Sequence, residues 1–505
     1  MRAQRTRFMI ARAAGLGLAA AALLWFAAGE AFSAAIGPAG PGGGGPRIST
    51  PNIGSVGPRG TTIRIPPTGP KGNPDIVDRK PPKGPKGIVI IPPGGGSNYI
   101  PPQQQFSSPP PPSRRAIAVV PPGEHVLNEV VIELDGNPPV TFTSALAARF
   151  QLERIESLRL PLTNSTIYRW RIPNTIRRPA VSVVQTLQAS GAVKYASLNY
   201  IYRVSQTATA SAPAEKPDGD PAQYTLGKLR LPLAHGLAKG DQVLVAVIDS
   251  GVDTAHPEFA GVIADTYDLV DPAEPPHSHG TAIAGAIAAH SRLMGVAPSA
   301  KILAIRAFGE SKGSAEGTTF NILKSMNWAV EKNANIINMS FAGPQDPALS
   351  RSLAAARQKG IVLIAAVGNA GPKSPPLYPA ADPNVIAVTA TDSDDQLFKA
   401  SNRGNHIAIA APGVDILLPS PGGGYQVSSG TSFAAAHVSG IAALILERKR
   451  DLKHDTVRKI LTSSAKDLGP KGRDIYFGAG LADAYQALTA TEAGGPAPSD
   501  ASASR

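Results

Sequence analysis

The chain has no cysteine in 505 residues. That excludes disulfides and thiol chemistry, and it leaves export open, because an oxidising compartment permits disulfides without requiring them. The apolar run at residues 13–28 falls short of the ~20 residues that span a bilayer. Beyond residue 123 the chain lacks any excess of charge. Its net +12 comes almost wholly from residues 1–123, with 14 Lys and Arg against 3 Asp and Glu, leaving 35 basic and 34 acidic residues elsewhere. Charge therefore gives the rest of the chain no reason to bind a polyanion, and no nucleic-acid partner is expected.

What is present divides the chain. Arg2, Arg5, Arg7 and Arg12, the apolar run, and small residues at Ala31, Ser33 and Ala35 make residues 1–35 a secretory signal, the alternative being an uncleaved anchor helix. Residues 37–123 contain 22 Pro and 17 Gly, above the roughly 25–30% associated with disorder. The Gly spacing is irregular, which does not support collagen. Residues 36–123 thus read as a disordered basic region. It serves as a tether or, alternatively, binds an anionic polymer of the cell envelope or a membrane surface. Residues 491–505, rich in Ala, Ser, Gly and Pro, read as a disordered tail.

Two folded units remain. Within 124–205 the pattern predicts strands at 130–132, 155–160, 166–172 and 193–202 and helices at 144–151 and 181–189. That β-α-β-β-α-β order is ferredoxin-like. A linker is expected at 206–222. In 223–490, short apolar runs at 242–248, 301–306, 335–339, 361–366 and 385–390 alternate with helical stretches. A parallel sheet with crossover helices requires that pattern, so the expected fold class is α/β, a three-layer α/β/α domain.

Four segments in this second unit carry chemistry. Asp249 ends the run 243–248, where a strand end opens into the crevice of a doubly wound sheet. His279 precedes a small-residue helix, Ser432 opens the helical run from Phe433 to Leu446, and Asn369 follows the run 361–366. A serine hydroxyl needs an adjacent base to attack at neutral pH. Histidine titrates in the right range, a buried carboxylate fixes its tautomer, and an amide donor can stabilise an oxyanion. Taken singly, each residue has a structural reading, as helix cap or turn. Asp253 and His256 read as turn and loop residues, and His277 lacks the Gly-Thr that follows His279.

Together Asp249-Ser250-Gly251, His279-Gly280-Thr281, Gly368-Asn369-Ala370-Gly371 and Gly430-Thr431-Ser432 resemble the subtilisin-like serine proteases, the subtilases, over roughly residues 223–490. The resemblance implies Asp249, His279 and Ser432 as catalytic residues, Asn369 in the oxyanion hole, and no cofactor. It implies substrate binding along Ser340, Phe341, Ala342 and Gly343, where a substrate adds as a strand, with Ala366 and Gly368 on the opposite pocket wall. The unit at 124–205 is similar in position to the family's inhibitory propeptide.

Three departures stand out. Ala342 replaces a usual Gly, and Ala436 replaces a usual Pro. The loop Ala289–Gly295 is short, has no carboxylate and carries Arg292, which does not suit the calcium ion that longer versions often hold; no metal site is expected. The implied protein is a monomeric, secreted or periplasmic endopeptidase, made as a precursor, with protein or peptide substrates and its own propeptide as partners. The alternatives are a non-enzymatic envelope module working through its Pro-rich arm and a hydrolase of non-peptide esters.

Overall fold

The computed structural model describes residues 123–175, 178–204, 207–211, 219–270, 277–311 and 314–492. The readings for residues 1–35, for nearly all of 36–123 and for 493–505 lie outside the described residues.

The first unit contains β1 (His125–Asp135), α1 (Val140–Phe150), β2 (Glu153–Leu160), β3 (Ser165–Arg171), α2 (Ala180–Ala189) and β4 (Tyr195–Val204). Its antiparallel strands lie in the order β2-β3-β1-β4. Alternate residues of a strand face opposite sides of the sheet. On β1, Val130, Ile132 and Leu134 pack with Leu146 of α1 and Leu187 of α2. Val131 faces the other way, with Leu160 and Ile167, onto Phe320, Leu323 and Ala348. An antiparallel sheet of this size normally leaves one face in water. Here the second face is covered by helices of the following domain. Burying Val131 and Ile167 there, at 1% and 0% exposure, contributes about 1.5–3 kcal/mol each.

The chain continues through β5 (Thr207–Ser211), two short turns α3 (Thr225–Lys228) and α4 (Leu231–Ala234), β6 (Leu244–Asp249), β7 (Ile263–Asp268), α5 (Ser278–Ala288), β8 (Lys301–Arg306), β9 (Phe308–Ser311) and β10 (Ser314–Thr318). Then come α6 (Thr319–Glu331), β11 (Ile336–Met339), β12 (Phe341–Ala342), α7 (Pro347–Gln358), β13 (Val362–Ala366), β14 (Ile386–Thr391), β15 (Ile407–Pro412), β16 (Ile416–Ser420), β17 (Gly424–Ser429), α8 (Thr431–Arg448), α9 (His454–Ser463) and α10 (Ala484–Glu492).

Seven parallel strands form the central sheet in the order β15-β14-β13-β11-β6-β8-β7. Period-2 alternation sends Val245, Val247, Ile302 and Ile364 to one face with α5 and α8. Ala246, Ile248, Leu303 and Leu363 go to the other face, with α6 and α7. The domain is therefore the three-layer α/β/α fold expected. Helix α8 runs through the first layer wholly buried from Thr431 to Leu446, and Ala436 sits inside it without a break.

Three boundaries differ from expectation. Strands β7 and β15 join the sheet without having been read from the sequence; β7 alternates between exposed and half-buried positions and so lacks an apolar run. The stretch 206–222 is not a plain linker, because Thr207–Ser211 pairs antiparallel with β17. That pairing is made by backbone groups, so Thr-Ala-Thr-Ala-Ser carries no apolar signal for it. Helix α10 also extends to Glu492, just past the tail boundary at 491.

Candidate active site

Asp249 closes β6 at the C-terminal edge of the parallel sheet, where open α/β sheets bind ligands. Its Oδ1 accepts from the backbone N–H of Ser250 at 2.7 Å and from the Ser250 hydroxyl at 3.1 Å. His279 lies in the first turn of α5, and its Nδ1 is 2.7 Å from the same oxygen. Helix and strand approach this closely because residue 280 is glycine. A Cβ there would stand 2.0 Å from the Gly251 carbonyl oxygen, so any larger residue would push His279 away from Asp249.

Both side chains are essentially sealed from solvent, at 0% and 1% exposure. The second imidazole nitrogen, Nε2, is buried and has no hydrogen-bond partner. The ring also lies against Phe433, 5.8 Å between centroids, which puts it beside the residue that follows Ser432.

His277 does different work. Its Nδ1 accepts from the His279 backbone N–H at 3.2 Å, capping α5. Burial, and then the neighbouring His279, push its pKa down. A ring used as an acceptor and held neutral by burial serves the helix rather than a reaction. Asp253 and His256 are likewise structural. Asp253 accepts from Ala255 N and Gly422 N, and His256 caps the turn at Glu258 and meets the Gly424 carbonyl at 3.0 Å.

Ser432 is the second residue of α8. Its hydroxyl donates to the Ser340 carbonyl at 3.1 Å, and the Ser340 hydroxyl donates back to the Ser432 carbonyl at 3.1 Å. Asn369 lies beside them. Its Oδ1 accepts from the backbone N–H and hydroxyl of Thr431, at 3.1 and 2.8 Å. Because the backbone N–H can only donate, the amide oxygen must face Thr431. The amide nitrogen therefore points elsewhere, buried and without a partner. A buried donor with no acceptor costs about 1–3 kcal/mol, a cost that a bound anionic oxygen would remove.

The expected substrate-binding residues separate into two groups. Ala342 and Gly343 line a cavity of about 730 Å³ with Asn369, Ala370, Leu377 and Tyr378. The Phe341 side chain is core, packed on Phe308 and Tyr202, while its backbone pairs with Val204. Ala366 is wholly buried in the sheet and does not reach this cavity. Gly368 does not line it either, and a Cβ there would meet Asn402 and Leu377. On that side the cavity is lined by Asn369, Ala370 and Leu377.

Several supporting residues gave no sequence signal. Asn402 clamps the turn holding Asn369, donating to Val367 O at 2.9 Å and accepting from Ala370 N at 2.9 Å. Ser439 donates to Asn338, which donates to Ser340, both at 2.9 Å. Isolated buried polar residues of this kind have no spacing to betray them.

The loop Ala289–Gly295 does not fit a calcium ion. The Glu258 carboxylate already accepts four donors: Ser291 N, Arg292 N, Leu293 N and the Tyr425 hydroxyl. The Arg292 guanidinium occupies the same region, bonded to Asp220 at 2.7 Å and lying 4.4 Å over the Tyr425 ring. Calcium needs six to eight free oxygens. Among the described residues no group of three or more His, Asp or Glu is disposed to hold a metal.

Comparison with known proteins shows the family. The subtilase family model matches residues 240–480. Subtilisin E of Bacillus subtilis (strain 168) is 38% identical over 268 residues, 51% of this chain and 69% of that one. Thermitase of Thermoactinomyces vulgaris is 34% identical over 274 residues, 53% of this chain and 95% of that one. The crystal structure of fervidolysin from Fervidobacterium pennivorans, described as a keratinolytic enzyme related to subtilisin, aligns with a TM-score of 0.62 at 24% identity, over 75% of this chain and 63% of that one. The chain belongs to the subtilase family. It is a serine-type endopeptidase with protein or peptide substrates. Among the described residues no helix is long and apolar enough to cross a membrane.

Proposed function

We propose that this protein is an exported, self-processed precursor in which Ser432 cleaves peptide bonds through an acyl-enzyme. Ser432 Oγ attacks the carbonyl carbon and gives its proton to His279 Nε2. His279 returns that proton to the leaving amine, and a water then repeats the sequence to free the acyl group. Asp249 holds the imidazole with Nε2 available and stabilises the imidazolium. Asn369 Nδ2 and the backbone N–H of Ser432 receive the oxyanion. The observation that carries this reading is His279 itself. Its Nδ1 is fixed on the buried Asp249 while its buried Nε2, on a ring that lies against Phe433, has no partner, so the nitrogen that must take the proton is available. The Ser432 hydroxyl now rests on Ser340 O, so rotation about its Cα–Cβ bond is the proposed activating step.

Residues 124–205 are the proposed inhibitor. The end of β4 pairs with β10 through Ile201–Arg203 and with β12 through Arg203 and Val204, so it occupies the edge a substrate would use. Arg203 and Val204 also border the apolar cavity, which supports an apolar preference before the cleaved bond. Cleavage between Val204 and Gly219 would release the unit. Residues 1–35 support export to the periplasm or beyond, and the basic Pro-rich region that follows is the candidate for contact with anionic envelope polymer.

The test is a casein assay combined with a serine-directed fluorophosphonate probe, on wild type and Ser432→Ala. Wild type should digest and be labelled, and the variant should do neither while remaining folded. A folded variant labelled at the wild-type level would overturn the assignment.

A further inference from the structure

Strand β4 ends between two strands of the catalytic domain, and the two present different chemistry to it. On one side β10 runs antiparallel, with Glu316 opposite Arg203, Gly317 opposite Tyr202 and Thr318 opposite Ile201. On the other side β12 places Ala342 opposite Arg203 and Phe341 opposite Val204. Successive side chains of a strand point to opposite faces. Tyr202 and Val204 are buried, and Arg203 between them keeps 42% of its side chain exposed. Its guanidinium lies on Glu316, with Nε donating to Oε1 at 2.9 Å and Nη2 to the same oxygen at 2.6 Å. On β9 the residue opposite Glu316 is Gly309, which brings no side chain to compete for the carboxylate. Among the described residues the ion pair of Glu316 is with Arg203 alone. Of the two strands that flank Arg203, one therefore offers a carboxylate at its level and the other only a methyl group. Arg203 also reaches Glu124, but Glu124 belongs to the proposed inhibitor and would leave with it, whereas Glu316 stays with the catalytic domain.

We infer that Glu316 selects substrates with a cationic side chain, arginine before lysine, at the position that Arg203 holds, upstream of the cleaved bond. A main-chain ladder takes an extended segment with little regard to its sequence; the Glu316 side chain adds a reading of charge. Arginine is favoured because its planar fork brings two N–H groups to the carboxylate, as Arg203 does, while lysine acts as a point charge. An acidic residue in the same place would stand directly opposite Glu316 as a like-charge cross-strand pair, which is destabilising. The pair is partly exposed, with Glu316 at 23%, so the preference is moderate and salt screens it.

This inference rests on the reading above, in which the end of β4 lies where a substrate would, and the experiment separates the two. Enzyme obtained from the full chain is given quenched fluorescent peptides that copy residues 200–211, with Arg, Lys, Gln or Glu in the place of Arg203. Mass spectrometry locates the cut. The ratio of kcat/KM for the Arg peptide to that for the Glu peptide is read within each enzyme, so that changes in overall activity cancel. In wild type this ratio should be at least ~5, the size of a partly exposed ion pair exchanged for a like-charge pair, with Lys and Gln between. Glu316→Gln should bring the ratio to within about twofold of unity, and Glu316→Lys should invert it. Salt at 1 M, where the screening length is about 3 Å, should shrink the wild-type ratio. A wild-type ratio within about twofold of unity would overturn the inference. So would a ratio that Glu316→Lys leaves unchanged, or a cut upstream of the Arg203 position. Cleavage of the Gln peptide by wild type and not by Ser432→Ala tests the catalytic reading independently. If no peptide is cut, that reading fails first.

Discussion

Replacing Glu258 by alanine should damage this enzyme's stability more than removing any surface charge, although the residue takes no part in the proposed chemistry. The Glu258 carboxylate is wholly buried. It is the shared acceptor for three consecutive backbone N–H groups at 2.8, 2.9 and 2.8 Å and for the Tyr425 hydroxyl at 2.9 Å. The three backbone donors belong to the loop 289–295, which is also tied to the start of the catalytic domain. Gln223 accepts from Met294 N at 3.0 Å and donates to Met294 O at 3.1 Å, and Arg292 holds Asp220.

Each buried donor left without an acceptor costs about 1–3 kcal/mol, and a water entering the vacated space recovers part of that. Leu293 is the most deeply buried of the three loop residues and has the least access to such a water. The net loss is about 3–5 kcal/mol, which for a domain of this size is a fall in Tm of roughly 6–20 °C at about 2–4 °C per kcal/mol. The measurement is thermal unfolding in the inactive Ser432→Ala background, so that self-digestion does not contribute. Arg292→Ala in the same background should cost less, because Asp220 and Tyr425 are then left where water reaches them. Adding EDTA should shift the parent's Tm little, since protein donors and a guanidinium fill the place of a metal. A fall below about 2 °C for Glu258→Ala would refute the argument. So would a large EDTA effect reversed by calcium.

Four further outcomes follow from the geometry. Asn369→Ala should lower kcat by about 10²–10³-fold with little change in KM, a range borrowed from the equivalent donor in subtilisin; an unchanged kcat would remove Asn369 from the oxyanion site. Gly280→Ala should abolish activity by separating His279 from Asp249, read as loss of probe labelling in a protein whose far-UV spectrum is unchanged; full labelling would mean the 2.0 Å approach relaxes at no cost. His437 is buried and donates from Nδ1 to Pro412 O at 2.8 Å, and burial pushes its pKa down to about 4. It protonates near 6.5 when unfolded, so the unfolded chain binds more protons between those values, and stability should drop by up to about 3 kcal/mol as pH falls from 6.5 to 4. His437→Gln should flatten that limb in urea titrations, and an identical slope would assign it to other groups. In maturation, mass spectrometry of wild type should show a cut between Val204 and Gly219, while Ser432→Ala stays joined; a wild type that is uncut and fully active would make residues 124–205 a folding or docking unit instead.

Legibility in the sequence followed how each feature is encoded. A parallel strand buried on both faces must be apolar throughout, so the run ending at Asp249 announced both the strand and the residue at its tip. The helix starts that hold His279 and Ser432 were readable because a run of small residues follows each. Strands β7 and β5 were not readable. The first is a half-exposed edge, and the second is held by backbone hydrogen bonds that Thr-Ala-Thr-Ala-Ser makes as well as any other sequence. That Ala366 and Gly368 do not line the cavity beside Asn369 has a related reason. Alternation along β13 sends Ala366 into the core, and only the turn after it, clamped by Asn402 from a distant segment, brings Asn369 and Ala370 to the cavity.

The same distinction explains why the first unit's role is clearer in three dimensions than in one. Val130-Val131-Ile132 reads as a strand, and three consecutive apolar residues place apolar side chains on both faces. A four-stranded unit with two helices has only one face to bury against them. The second face, with Val131, Leu160 and Ile167, therefore needs an outside partner, and α6 and α7 are that partner. The contact is also polar at its rim. Glu133 of β1, itself buried, pairs with Arg351 of α7, and Lys324 of α6 reaches Glu156 of β2 at 2.5 Å. The side-chain oxygen of Asn199 on β4 accepts from Phe320 N at the start of α6. An interface that buries one sheet face and also caps a helix start orients β4 along the edge where substrate is proposed to bind. In the maturation proposed above, with the chain cut after Val204, the same interface without its covalent link would be the equilibrium that sets how much of the enzyme is free to act.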